Sequence, residues 1–195
     1  MKHAVIIAHP KPSSFTAAMA ARYARTVRDL GHEVLVRDLY AMDFDPRLKA
    51  EELPDGHDFQ PAPDVVEERE KLKDIDVFAL FYPLWFNAPP AILKGYFDRV
   101  FIMGFGFAPA FGGTAPNLTD ARLTSFTASG APDHWVRETG ALAALTTLFD
   151  RHVAGVCGLG VLDHVHFGGV TPGIRKDAVE EMLAKVEEAA RRCFG

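Results

Sequence analysis

Short strand-like runs alternate along the chain with stretches whose apolar residues recur every three to four positions. The runs at residues 3–8, 33–38, 76–82 and 122–129 predict strands. The first is apolar almost throughout, the pattern of a strand covered on both faces. Residues 153–161 and 162–167 are strand-like as well. Helical spacing fills the intervals. In the first helix Ala17, Ala20, Tyr23, Ala24, Val27 and Leu30 supply an apolar face, and Arg22, Arg25 and Arg28 the opposite one. Gly31 is placed to end it. Further helices are predicted over 63–73, after Pro89-Pro90, over 133–149, and from Thr171-Pro172-Gly173 to the C-terminus. Pro90 sits where a first helical turn tolerates proline.

The stretch 81–101, FYPLWFNAPPAILKGYFDRVF, organises this pattern. A strand stops at Pro83, a loop presents Leu84, Trp85 and Phe86, and a helix resumes after Pro90. In an open α/β sheet such loops lie at the carboxyl ends of strands, where ligands bind. We read Leu84, Trp85 and Phe86 as the wall for a flat flavin ring; a loop that caps the core with aromatics has the same composition. The loop after the first strand is rich in hydroxyls. Ser14 and Thr16 open a helix whose free N–H groups and positive dipole end suit a phosphate, with His9 as a further donor. A plain N-cap needs only one of those hydroxyls. A third loop follows the strand at 122–129, where Thr127, Ser129 and Gly130 can approach a polar ring edge.

Two connections carry less. Residues 40–73 are long, polar and proline-bearing, with a turn at Asp55-Gly56; they form a wall of the site, a dimer contact or a surface excursion. Residues 103–116 are rich in Gly and Phe and suggest a lid or a substrate wall. His164 and His166 share one strand face. No third ligand accompanies them, so we expect solvent-facing histidines and no metal site.

Composition narrows the class. The 195 residues are 48% hydrophobic and 24% charged, enough for one α/β domain spanning 1–195 with a sizeable core. The net charge of −5 argues against a nucleic-acid partner. Cys157 and Cys193 are too few for a disulfide scaffold and suit a reducing cytoplasm. The most apolar window, 77–93, is broken by three prolines and Asn87, so membrane insertion is not expected. Neither G-x-G-x-x-G nor a P-loop motif occurs. Strands and helices alternate five times, which predicts a parallel sheet with helices on both faces. The fold expected is α/β, a flavodoxin-like, doubly wound, five-stranded parallel sheet in the order 2-1-3-4-5, with its switch point between strands 1 and 3.

Ile6-Ile7-Ala8-His9 with Ser14-Phe15, the run Asp38-Leu39-Tyr40-Ala41-Met42 followed by Phe44 and Pro46, and above all Pro83-Leu84-Trp85-Phe86 with residues 90–102 resemble the flavodoxin-like NAD(P)H:quinone oxidoreductases. The chain lacks one residue the family has between Leu84 and Trp85, and regains register by Pro90. The resemblance implies a flavoenzyme that passes hydride from NAD(P)H through flavin N5 to a quinone in a ping-pong cycle. It implies flavin phosphates at His9, Ser14, Phe15 and Thr16, the isoalloxazine flanked by Pro83, Leu84, Trp85 and Phe86, and its pyrimidine side at Thr127, Ala128, Ser129 and Gly130. Trp85 and Phe86 would also face the substrate. FAD is expected over FMN, from the His9 and Phe15 match and from Arg175 near an adenosine end. A homodimer is implied, with Phe107 walling the neighbour's substrate pocket.

The chain departs from the mammalian branch where a tyrosine and a histidine are proposed to relay a proton. Those positions hold Trp135 and Ala141. An indole N–H donates a hydrogen bond but does not relay a proton at neutral pH, which leaves adjacent His134 as the substitute beside Trp135. A small bacterial branch includes an ancillary subunit of a potassium-efflux system. A second reading is therefore a regulatory subunit that senses flavin or nucleotide and gates a membrane transporter. A flavodoxin-type electron carrier is a third. The sequence distinguishes neither NADH from NADPH nor the physiological acceptor.

Overall fold

The computed structural model describes residues 1–53 and 59–195; the expected turn at Asp55-Gly56 lies outside them. Five parallel strands form the central sheet: β1 (Lys2–Ile7), β2 (Glu33–Asp38), β3 (Val77–Pro83), β6 (Arg122–Ala128) and β7 (Gly160–Phe167), in the order β2-β1-β3-β6-β7. Two further strands, β4 (Phe107–Ala110) and β5 (Gly113–Pro116), form a separate antiparallel hairpin. Without that hairpin the order is the expected 2-1-3-4-5. Alternation along each strand divides the core in two. Ala4, Ile6, Phe78, Leu80 and Tyr82 pack under α2 (Pro63–Leu72) and α3 (Ala91–Val100). Val5, Ile7, Ala79, Phe81 and Phe126 pack under α1 (Phe15–Asp29) and α7 (Lys176–Phe194).

The first 38 residues fold as their pattern predicts. Ser14 caps α1, and Gly31, at φ +83°, follows its C-cap Leu30. The long connection between β2 and α2 is held against α3, which brings Pro46 so close to Gly95 that a Cβ there would lie 2.2 Å from the Pro46 carbonyl oxygen. Arg99, buried, donates to Glu52, to Asp64 and to the Asp45 carbonyl. That cluster holds the described part of the connection against α3.

Three expectations are corrected, and a fourth stretch, the Gly-Phe-rich loop, is filled in. The helix expected over 133–149 is broken. It runs as α4 (Asp133–Glu138), turns at left-handed Gly140, continues as α5 (Ala141–Leu145) and widens into a π turn, Thr146–Arg151. Residues 153–157 are helix and not strand, within α6 (His152–Cys157). Their β-branched valines line a groove, and Gly158 at φ +84° ends the helix before β7. The Gly-Phe-rich loop contains the β4–β5 hairpin, with Phe111 fully exposed at its tip. The last helix begins only at Lys176, because Gly173 at φ +88° first makes a turn. Among the described residues no helix is long and apolar enough to cross a membrane. Both cysteines are free.

Candidate functional site

The loops after β1, β3 and β6 meet at one edge of the sheet and enclose a cleft of about 200 Å³. Their meeting is fixed by backbone bonds: Ala8 N–H donates to Phe81 O at 2.9 Å, Leu84 N–H to Ala128 O at 2.8 Å, and Ser129 N–H to Phe167 O at 2.9 Å. His9, Phe15 and Thr16 line one side, Pro83, Leu84 and Trp85 the second, and Ala128, Ser129 and Gly130 the third. Val170, from the loop after β7, closes it; no sequence signal marked that residue.

The two ends of the cleft differ in chemistry. One end is the start of α1, where Phe15 and Thr16 carry N–H groups the helix cannot pair. The Ser14 hydroxyl accepts from Ala17 N–H at 3.1 Å, so it serves as the cap and does not line the cleft. His9 Nδ1 accepts from Lys11 N–H at 3.0 Å. The neutral ring therefore carries its proton on Nε2, and burial holds its pKa below the usual histidine value. The other end is aromatic. The Trp85 indole is 44% exposed and lies 6.0 Å from the His9 ring. Donors and a dipole at one end with an aromatic face at the other fit a ligand that joins an anion to a flat ring, as a flavin nucleotide does.

Several expected residues lie elsewhere. Phe86 is fully exposed, in a left-handed turn with Asn87 (φ 50° and 55°), and points off the cleft. Asn87 Nδ2 pins that turn by donating to Ala141 O at 2.8 Å. Phe107 lines a separate apolar groove of about 300 Å³ with Phe97, Phe101 and Leu148. Arg175 is exposed at the start of α7 and pairs with Asp177. His134 and Trp135 are exposed on α4. None of these lines the cleft.

Thr127 and the paired histidines differ most from expectation. Ser125 and Thr127 share one face of β6, and His164 and His166 are their partners in register on β7. That face looks inward at Asp150, carried by the π turn. Ser125 Oγ donates to Asp150 at 2.9 Å, and Asp150 holds His164 Nδ1 on its other oxygen. Thr127 Oγ1 lies 2.8 Å from His164 Nε2 and 2.9 Å from His166 Nδ1. His166 Nε2 lies 3.1 Å from Ser129 Oγ, at the cleft wall. His166 is thus buried and His164 half-buried, both turned inward rather than to solvent, and the Thr127 hydroxyl belongs to this chain and not to the cleft. Burial pushes the His166 pKa down to about 4. It also holds the Tyr82 phenol, packed against His164 and Phe149, well above its usual range. No group of three or more His, Cys, Asp or Glu could hold a metal among the described residues.

Comparison with known proteins agrees with the architecture. Residues 1–190 match a family described as having a flavodoxin-like fold. An uncharacterized NAD(P)H oxidoreductase of Haemophilus influenzae is 32% identical over 87% of this chain and 85% of its own length. NAD(P)H dehydrogenase [quinone] 1 of Cavia porcellus is 37% identical, over 54% of this chain and 45% of that protein, so the chain matches less than half the length of that relative. The solved structure of an NAD(P)H:quinone oxidoreductase from Methanothermobacter marburgensis superposes with a TM-score of 0.88 at 27% identity, covering 99% of this chain and 98% of that one.

Proposed function

The chain belongs to the family of flavodoxin-like fold that its first 190 residues match, and from that premise we propose that it is a flavin-dependent NAD(P)H:quinone oxidoreductase. The observation that carries this reading is the cleft, where a helix N-terminus and an exposed indole face each other across the ends of β1, β3 and β6. The names of the relatives, which are oxidoreductases and quinone dehydrogenases, support catalysis over the gating of a transporter.

A bound flavin would supply the redox chemistry, hydride transfer between NAD(P)H and a quinone. The protein's part is binding, orientation and exclusion of water. Phe15 and Thr16 N–H groups, the buried Thr16 hydroxyl and His9 Nε2–H would hold the phosphate. Trp85, with Pro83 and Leu84, flanks the ring, and Ser129 and Gly130 meet its polar edge. Stacking in a near-attack geometry contributes much of the acceleration. FAD is our choice over FMN, with Arg175 toward its adenosine end. The acceptor stacks near Trp85, with Phe86 and Phe107 supplied toward it in a homodimer. Two fully exposed aromatics, Phe86 and Phe111, and the apolar groove at Phe107 support that assembly.

The test is an absorbance spectrum and flavin mass on purified protein, then rapid mixing with NADPH and with NADH. A bound flavin bleached by one nucleotide and restored by a quinone is the expected result. A colourless protein that ignores added flavin would sink the proposal. Sedimentation of the loaded protein tests the dimer.

A further inference from the structure

The hydrogen-bond chain from Asp150 to Ser129 has a polarity that proton counting fixes. Ionised Asp150 accepts from His164 Nδ1–H. With the His164 ring neutral, its Nε2 can only accept, so the Thr127 hydroxyl donates to it. Thr127 Oγ1 then accepts from His166 Nδ1–H, and His166 Nε2 faces Ser129 Oγ without a proton. The Ser129 hydroxyl has one proton and two acceptors, Ala131 O at 3.0 Å and His166 Nε2 at 3.1 Å. Ala131 O also accepts from Gly169 N–H at 2.8 Å, so Ser129 can turn its proton to His166 Nε2 and leave no acceptor unpaired.

A single added proton on His164 reverses the direction of every bond in the chain. His164 Nε2–H donates to Thr127, Thr127 to His166 Nδ1, His166 Nε2–H to Ser129, and Ser129 to Ala131 O. Every group is paired in this state as in the other, so the chain can pass between the two. His166 stays neutral in both states and changes only which nitrogen carries its proton. Its depressed pKa suits that role.

We propose that Asp150, His164, Thr127, His166 and Ser129 form a one-proton store that opens onto the cleft at Ser129. Its release moves one proton along the chain. His164 Nε2 gives its proton to Thr127, Thr127 gives one to His166 Nδ1, His166 Nε2 gives one to Ser129, and Ser129 gives one to the cleft. The charged groups facing the two rings are Asp150 on the π turn, Asp133 and Arg137 on α4, Asp163 on β7 and Lys185 on α7. The use of the proton rests on the function proposed above. NAD(P)H loses a hydride to become NAD(P)⁺, and the quinone gains that hydride and one proton to become hydroquinone. The store supplies this proton and reloads from water while the cleft is open between the two half-reactions. It occupies the role that Trp135 and Ala141 leave vacant. Thr127, His164, His166 and Asp150 are positioning residues that act through Ser129.

The existence of the store is tested without turnover. Nitrogen NMR of the histidine rings follows flavin-free and flavin-loaded protein across the pH range in which it stays folded. As His164 takes up its proton, His166 should switch from Nδ1–H to Nε2–H in one shared titration. In Thr127→Val the switch should vanish, and in Thr127→Ser it should return. A His166 tautomer that never changes in the wild-type protein overturns the store, whatever the variants do. Rapid mixing of loaded protein tests its use. The quinone half-reaction in Thr127→Val should slow on the order of a hundredfold relative to the nucleotide half-reaction. Equal slowing of both halves assigns the chain a structural role only. If no nucleotide bleaches the flavin, the proposed function fails while the NMR result still decides the store.

Discussion

Two of the buried polar clusters are of similar size and opposite character. Around Arg99 the charges are permanent. Its guanidinium donates to both Glu52 oxygens, to Asp64 at 2.8 Å and to the Asp45 carbonyl at 2.6 Å, and lies 5.2 Å from the Phe44 ring. Around Thr127 there is one carboxylate, and the other members are hydroxyls and imidazoles, whose protons can be rearranged. The first cluster ties α3 to the long connection before α2; the second runs to the wall of the cleft. A planar fork with fixed donors holds one geometry and no other. Imidazoles and hydroxyls each have two ways to bond, so the second cluster can exist in two states with the same backbone. Burial alone therefore does not identify a functional cluster; the reversibility of its bonds does.

The largest test of the contrast is Arg99→Ala. It strands Glu52, only 3% exposed, without its partner, and should cost about 3–5 kcal/mol in denaturant unfolding. A loss below about 1 kcal/mol would mean that the connection is held by its apolar contacts and that the charges are passengers.

Acid should dismantle the two clusters in different windows. His166 in the Thr127 cluster and His3, buried in another cluster with Tyr23 and His32, are held near pKa 4, chiefly by burial, with His32 adding to the effect at His3. Their unfolded value is about 6.5. Between those values the unfolded chain binds more protons, so stability is full above about pH 6.5 and falls as pH drops toward 4. The shift sets a loss of roughly 3 kcal/mol per histidine. At Glu52 burial works upward, but pairing with Arg99 outweighs it. At Asp64 the Arg99 hydrogen bond leads, and both pKa values are lowered. Their stabilisation is present above the ordinary carboxylate range and is lost only as pH falls below about 4. Denaturant midpoints at about pH 7 and about pH 4.5 should therefore differ less in His166→Gln than in the wild-type protein. Removing a carboxylate of the Arg99 cluster should leave that difference unchanged.

A smaller effect comes from Thr127→Val. It removes a neutral hydroxyl from between two rings that keep their other partners, so about 1–3 kcal/mol is expected. A cost equal to that of Arg99→Ala would make the Thr127 cluster a second fixed clamp.

The sequence showed one cluster's neighbourhood and neither cluster's wiring. Strands β1, β3 and β6 were legible because apolar runs ending at His9, Pro83 and Ser129 carry local punctuation. The three loops that form the cleft follow from those ends and the sheet order. The histidines were legible only as a same-face pair on β7. Their face was decided by partners 14 and 37 residues away, Asp150 and Thr127. Asp150 sits on a π turn that no helical period marks. Arg99 was hidden for the same reason, since Glu52 lies 47 residues off. Phe86 failed differently. Its aromatic character suggested a wall, but two successive left-handed residues turn it outward, and side-chain type carries no signal for that at a phenylalanine.

The smallest effect tests the Arg99 cluster from within. The Asp64 side chain is 50% exposed, while that of Glu52 is 4% exposed, although both bond the same guanidinium. Water solvates the Asp64 carboxylate and screens its pull, so Asp64→Asn should cost under about 1 kcal/mol. Asn retains one acceptor oxygen, and Arg99 keeps Glu52 and the Asp45 carbonyl. Glu52→Gln, at the same guanidinium but without water, should cost several times more. If the two substitutions cost the same in denaturant unfolding, the guanidinium is held as one cooperative unit with no dry and wet sides. The clamp would then resemble the Thr127 chain, in which each member depends on all the others.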